Sequence, residues 1–183
     1  MARAPRRLAA FLLVASLFCG APVALAAGTC AGFKWDVRHE HALFATRPQD
    51  RQAGGAAASA PVISLDKLYR LQLAPQDRVA FAVPPGRKAH RDGAYAGLVR
   101  LHIAAAGLYR IALNQPFWVD VVAKGMLVAS SDFTGARGCS APHKIVLYRL
   151  ATGDLLLQVS GWPAPQTELT VTRAPPGASV LQR

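Results

Sequence analysis

Metal-binding side chains crowd together at one point in this chain, the run His39-Glu40-His41. Two imidazoles and a carboxylate are the donor set of a non-haem iron centre, provided that all three converge on one face of the ion. On a strand, His39 and His41 would share a face, and His143 or Asp132 could complete a triad. On a helix, the two imidazoles lie about 200° apart around the axis and cannot share a metal. Asp36 stands ahead of the run as an N-cap, and Val37, Glu40, His41 and Phe44 recur along one side. This spacing predicts a short helix over about 37–45 with solvated imidazoles. Metal ligation by His39, His41 and His143 is therefore not expected, and no cofactor is expected.

Other chemistry is equally hard to assemble. Ser130, Ser131 and Ser140 lie near histidines in sequence, but none sits in a Gly-x-Ser-x-Gly elbow. The glycine-rich stretches 53–55 and 135–138 lack the following Lys-Ser/Thr of a phosphate cradle. No catalytic residue is predicted. Trp35, Trp118, Trp162, Tyr109 and Tyr148 raise the idea of a sugar platform, because flat rings stack on pyranose faces. Large aromatics more commonly fill a core. On alternation Trp118 shares its parity with Asp120 and Val122, and Phe117 shares its parity with Val119 and Val121. One of the two rings must then point away from the core. Trp162, in the break Gly161-Trp162-Pro163, is expected to be exposed. Trp118 and Trp162 are thus the candidate ligand-binding residues.

The first segment predicts export. Arg3, Arg6 and Arg7 precede an apolar run from Leu8 to Phe18, and Ala24-Leu25-Ala26 supplies a small-residue cleavage site. Gly20 and Pro22 interrupt the run well short of the roughly 20 apolar residues that a spanning helix needs. Phe18 before Cys19 argues against a lipoprotein signal. Residues 1–26 are read as a cleaved signal, with cleavage after Ala27 nearly as suitable. A composition rich in Ala, Arg and Pro fits a GC-rich bacterial genome, which would place the mature chain in the periplasm or outside the cell. Once the signal is gone, Cys30 and Cys139 are the remaining cysteines, and an oxidising compartment predicts a disulfide between them. Closing a loop of roughly 110 residues stabilises by about 4–5 kcal/mol at most.

Removing the three arginines of the signal lowers the net charge from +11 to +8. About 157 residues remain, enough for a single domain with its own core. The basic residues Arg70, Arg78, Arg87, Lys88, Arg91, Arg100 and Arg110 are scattered, with no aromatic-rich basic motif, so nucleic acid is not an expected partner. An anionic envelope polymer, a glycan or a secreted protein fits such a field better.

These residues need elements to hold them. Residues 46–61 read as a loop of polar and small residues with nothing to bury. Beyond them the period is two almost throughout: 68–73, 78–83, 98–103, 108–113, 117–122, 126–130, 144–150, 155–160 and 167–173. Strand 98–103 and strand 108–113 are expected to form a hairpin about Ala106-Gly107, and Lys124-Gly125 is expected to be a tight turn. About nine short strands punctuated by Gly and Pro predict a mostly β fold, an antiparallel β-sandwich or jelly roll with one short N-terminal helix. One domain is expected over 27–173, followed by a flexible tail over 174–183.

Two resemblances can be named on these residues. Ala106-Gly107-Leu108-Tyr109-Arg110-Ile111-Ala112-Leu113, followed by Phe117-Trp118-Val119-Asp120-Val121, resembles bacterial pre-peptidase C-terminal domains. These are jelly-roll sandwiches appended to secreted enzymes, and the likeness implies a non-catalytic accessory role. Cys30-Ala31-Gly32-Phe33-Lys34-Trp35-Asp36-Val37 and Cys139-Ser140-Ala141-Pro142-His143-Lys144-Ile145-Val146 are similar to segments of small exported proteobacterial proteins that often carry the name homogentisate 1,2-dioxygenase. That name would imply a non-haem iron oxygenase, the alternative to a binding or envelope-accessory module.

Overall fold

The computed structural model describes residues 32–136, 138–139 and 141–175. The expected signal, Cys30 and residues 176–183 lie outside the described residues. In chain order the elements are α1 (Arg38–Phe44), β1 (Gln49–Gln52), β2 (Val62–Ile63), β3 (Tyr69–Gln72), β4 (Ala74–Pro75), β5 (Tyr95–Ile103), β6 (Gly107–Leu113), β7 (Trp118–Ala123), β8 (Met126–Val128), β9 (Ser130–Gly135), β10 (Lys144–Leu150), β11 (Gly153–Trp162) and β12 (Gln166–Arg173). Two sheets result. The first runs β1-β3-β12-β6-β10-β9, and the second runs β2-β5-β11-β7-β8 with β4 also on β5.

Alternation decides which side chains meet between the sheets. Tyr109, Ile111 and Leu113 of β6, Val146, Tyr148 and Leu150 of β10, and Leu169 and Val171 of β12 face inward from the first sheet. Val99, Leu101 and Ile103 of β5, Val119 and Val121 of β7, and Leu155, Leu157 and Val159 of β11 meet them from the second. Phe117, just ahead of β7, is fully buried in the same core. The parity argument thus places Phe117 inside and Trp118 on the other side. At Gly97 the strand passes so close to Ala53 that an added Cβ would lie 2.4 Å from the Ala53 Cβ.

Both sheets also carry apolar residues on their outer faces, and each face is covered. Val37, Phe33, Trp35 and Phe44 lie over Ala112 and Ile145 of the first sheet. The predicted helical stripe is therefore the docked face of α1: Val37 and Glu40 are buried, and His41 and Phe44 are half-buried. Glu40 is the surprise in that stripe. Its carboxylate accepts a 2.7 Å hydrogen bond from Thr172 Oγ1 and lies 3.4 Å from Arg110 Nη1, with both charged side chains almost fully buried. Arg110 also donates to the Asp36 carbonyl at 2.8 Å, and its guanidinium lies 5.3 Å from the centre of the Trp35 ring. The helix begins one residue later than expected: Val37, not Asp36, occupies the N-cap position. Asp36 still accepts the Arg38 amide at 3.0 Å. The Arg38 guanidinium beside it holds its carboxyl down, to about 2.

Several connections differ from the sequence expectation. Strands β5 and β6 are neighbours in sequence but belong to different sheets, so 98–103 and 108–113 do not form a hairpin. Both have apolar residues suited to central positions, and alternation alone does not say which sheet a strand joins. The crossover is pinned by Tyr109, whose hydroxyl donates to the Ala105 carbonyl at 2.6 Å. Segment 78–83 is not a strand. It crosses the outer face of the second sheet, where Val79, Phe81 and Val83 pack on Leu98, Val122 and Leu156. The fully buried Gln158 takes the place of a strand partner: it accepts from the Ala82 amide at 2.8 Å and donates to the Val83 carbonyl at 2.9 Å. The stretch 46–61 is not an empty loop, because it contains β1 and buries Ala53 and Ala60. Two pairings, β1–β3 and β2–β5, are parallel, which makes both sheets mixed rather than purely antiparallel. Ala174, placed in the expected flexible tail, is buried, and its amide donates to the Leu108 carbonyl at 2.9 Å. Lys124 and Gly125 do join β7 to β8 as a tight hairpin, at φ 50° and 77°.

Candidate functional site

At one flank of the sandwich the chain steps from β8, the edge of the second sheet, through Ala129 to β9, the edge of the first. No described strand closes the gap between these edges. The result is a cleft of about 630 Å³ running in between the two sheets. Leu127 and Val128 line one wall, Phe133 and Ser130 the other, and Val119, Val146 and Tyr148 the interior. Leu127 and Phe133 are 47 % and 64 % exposed, which is high for side chains of their size. Lys88 reaches the cleft from the turn 87–89, and Trp118, Asp120 and Lys144 supply the remaining polar groups.

The polar groups are only partly satisfied. Lys144 is the first residue of β10 and shares the inward parity of Val146 and Tyr148. Its ammonium donates to the Phe117 carbonyl at 2.9 Å and lies 5.5 Å from the centre of the Trp118 ring. Asp120 Oδ1 accepts from the Trp118 indole at 2.9 Å, whereas Asp120 Oδ2 is buried without a hydrogen-bond partner. Burial pushes the Lys144 ammonium below the usual lysine range, with the Asp120 charge opposing it. Burial likewise pushes the Asp120 carboxyl up, against the Trp118 hydrogen bond and the Lys144 charge. Tyr148 donates to the Val119 carbonyl at 2.8 Å, and burial, helped by the Asp120 charge, raises its phenol. An ammonium with one neutral acceptor and a carboxyl with an orphaned oxygen, set among apolar walls, can hold a polar group of a ligand in a fixed place.

The other sequence candidates fall elsewhere. Trp162 is not the freely exposed ring expected of it; it is half-buried against the core, opposite Tyr95 of β5, with Arg91 6.0 Å from its ring centre. Pro163 ends β11 only after Trp162 has paired, which is why the Gly-Trp-Pro break does not free the ring. A second cavity, of about 710 Å³, lies nearby among loop residues that include Gln76, His90 and Arg91. Gln76 is committed there to structure, donating to the Ala89 carbonyl and accepting from the Gly161 amide. Trp118 and Trp162 each have a cation beside the ring, so neither stands as a bare stacking platform.

The histidines are dispersed. Exposed His39 pairs with Asp66 at 2.8 Å, and His41 meets the Phe33 ring edge-on at 6.1 Å. His143 gives its amide to the Leu113 carbonyl in the loop before β10. Asp132 is bound to Lys34 at 2.7 Å, which holds its carboxyl low. Among the described residues no three His, Cys, Asp or Glu side chains come together as a metal site. The triad that an iron oxygenase would need is not assembled from His39, His41, His143 and Asp132. Cys139 is buried, and its expected partner Cys30 lies outside the described residues. No described helix is long and apolar enough to cross a membrane.

Fold and cleft define a class, a two-sheet β-sandwich open at one flank. Comparison with known proteins adds little to that. No family model matches the sequence, and no curated protein matches it at a significant level. Among solved structures, the chain is similar to the pre-peptidase C-terminal domain of collagenase from Bacillus anthracis. That similarity has a TM-score of 0.35 and 14 % identity, over 69 % of this chain and 98 % of that domain. A likeness this slight carries no functional argument, and the fold rests on the strand pairing itself.

Sequence reasoning missed most of the cleft. Trp118 is a candidate from its type and parity, but Phe133, Lys144 and Leu127 line the cleft only because β8 and β9 are edges. The available signal was Lys144 on the inward parity of a strand otherwise filled by Val146, Tyr148 and Leu150.

Proposed function

We propose that this is an exported binding module rather than an enzyme, and that it holds a small amphipathic ligand in the cleft between β8 and β9. The observation that carries this reading is the composition of the cleft: exposed Leu127 and Phe133 at its mouth, with a half-satisfied ammonium and carboxyl among apolar residues inside. Small-molecule sites are concave, mostly apolar and set with a few fixed polar groups, in volumes of about 300–1,000 Å³. Export rests on the signal segment, and the Cys30–Cys139 disulfide belongs to the same reading. The dispersal of the histidines favours a binding role over iron chemistry.

The test is a small-molecule screen followed by tryptophan fluorescence and backbone NMR. Hits are expected to perturb Trp118 and the amides of 127–133, and Leu127→Asp is expected to abolish them. Hits that map to the cavity at Gln76 and Arg91 instead would refute the assignment of the site. Intact mass of the protein from its own cell should correspond to a start at Ala27 or Gly28.

A further inference from the structure

We infer that the ligand of the inter-sheet cleft is a small amphipathic carboxylate, its hydrocarbon body against Leu127, Val128 and Phe133 and its head on Lys144; the inference rests on the cleft being the binding site. The polarity of the ligand follows from the order of residues along the cleft. Leu127 and Phe133, exposed on opposite walls, offer apolar surface, the Phe133 ring with the Lys34 ammonium 5.6 Å from its centre. A fully polar ligand would leave those walls wet. Val119 and Val146 continue the apolar lining inward.

The sign of the head group follows from Lys144. An ammonium has three donors, and the hydrogen bond of this one goes to a neutral carbonyl, that of Phe117. Its carboxylate neighbour, Asp120, is engaged with the Trp118 indole instead. A cation brought into an apolar cleft gains most from a counter-ion, and an anion arriving there finds donors already in place. Lys88 at the rim adds a second positive charge on the path in. A single negative charge suits the site better than a double one, because Asp120 stands beside Lys144 and would repel the second charge. A carboxylate meets that requirement. The depression of the Lys144 ammonium by burial agrees with a cation that lacks a full counter-ion.

The experiment measures binding of octanoate, octan-1-ol and octyltrimethylammonium to the protein as isolated from its cell, by calorimetry and by NMR of the 127–133 amides. Octanoate should bind about tenfold or more tighter than octan-1-ol, the value of one charge-assisted hydrogen bond in a partly dry site. The ammonium should bind worst. Lys144→Met should bring octanoate and octan-1-ol to within about twofold of each other, and Leu127→Asp should weaken both. Equal binding of acid and alcohol by the wild type overturns the inference, whether or not Lys144→Met folds. So does preference for the ammonium, failure of all three probes to bind, or a carboxylate preference that survives in a folded Lys144→Met protein. If acid and alcohol bind equally and Leu127→Asp still abolishes both, the carboxylate is wrong and the site stands. Binding that is unaffected by Leu127→Asp would instead remove the site itself.

Discussion

Neutralising Glu40 removes the counter-charge of a guanidinium that has almost no contact with solvent. In Glu40→Gln the hydrogen bond from Thr172 can persist, because the amide oxygen replaces the carboxylate oxygen at 2.7 Å. Arg110 then keeps its bond to the Asp36 carbonyl and its contact with Trp35, but it has no anion, and its Nε already lacks a partner. Breaking a buried ion pair from one side costs about 3–5 kcal/mol, because an uncompensated charge is left behind. The long 3.4 Å separation of Arg110 Nη1 from both Glu40 oxygens places the expected loss at the lower end, about 3 kcal/mol. For a domain of this size that lowers Tm by roughly 6–12 °C. Replacing both partners, Glu40→Leu with Arg110→Met, removes the orphaned charge and should cost less than Glu40→Gln alone. Urea and thermal unfolding of Glu40→Gln, of the double variant and of its two singles, Glu40→Leu and Arg110→Met, provide the measurement. A Glu40→Gln protein within about 0.5 kcal/mol of wild type would show that the pair does not hold α1 to the sheet. A double variant as unstable as the sum of its singles would refute the account by charge burial.

Three further outcomes are expected. Thiol titration of the denatured, unreduced protein should find neither Cys30 nor Cys139 reactive, and Cys139→Ser should lower stability by up to about 4–5 kcal/mol; two titratable thiols would exclude the disulfide. Asp120 has its carboxyl raised in the folded state, so its contribution is present at acid pH and is lost as pH rises through the folded value. Asp120→Asn should therefore be more stable than wild type at pH 7, with the gap closing as pH falls below the normal carboxylate range, read from Tm against pH. His39→Ala with His41→Ala should cost about 1 kcal/mol or less, since one imidazole is in an exposed pair and the other meets a single ring edge. Chelator should leave the melting of wild type and double variant unchanged, and a chelator-sensitive wild type would restore the metal reading.

Much of the architecture is legible in residue alternation, because a strand buried on one face must repeat every two residues. Phe117-Trp118-Val119-Asp120-Val121 shows how far that goes: parity alone separates the core ring from the outward one. Alternation says nothing about which sheet receives a strand, so the crossover from β5 to β6 reads as a hairpin. It is also satisfied by any extended chain lying on an apolar surface. Val79, Phe81 and Val83 therefore look like a strand, although the backbone at Ala82 and Val83 is held by the side chain of Gln158, far away in sequence. The pairing of Glu40 with Arg110 is hidden for a related reason. Both are charged, each fits a solvated face, and only the docking of α1 on β6 and β12 takes them out of water. The cleft is less legible still, because exposure of Phe133 and desolvation of Lys144 depend on where the sheets end.

The two flanks of the sandwich are finished differently, and the difference bears on self-assembly. At one flank, β1 is Gln-Asp-Arg-Gln, fully exposed, and β2 is two residues long. A charged edge and a very short one are poor templates for another strand. At the other flank, β9 presents six residues beside an open apolar cleft. A fibre that grows edge to edge needs a receptive edge on both sides of every subunit, so that each copy can pass the contact on. With one flank blunted, a contact made through the β8–β9 flank can only be answered by the same flank of a second copy. That arrangement is self-complementary and closes at two. Crowding of this protein would then end in pairs instead of filaments, and in such pairs each partner would cover the other's cleft.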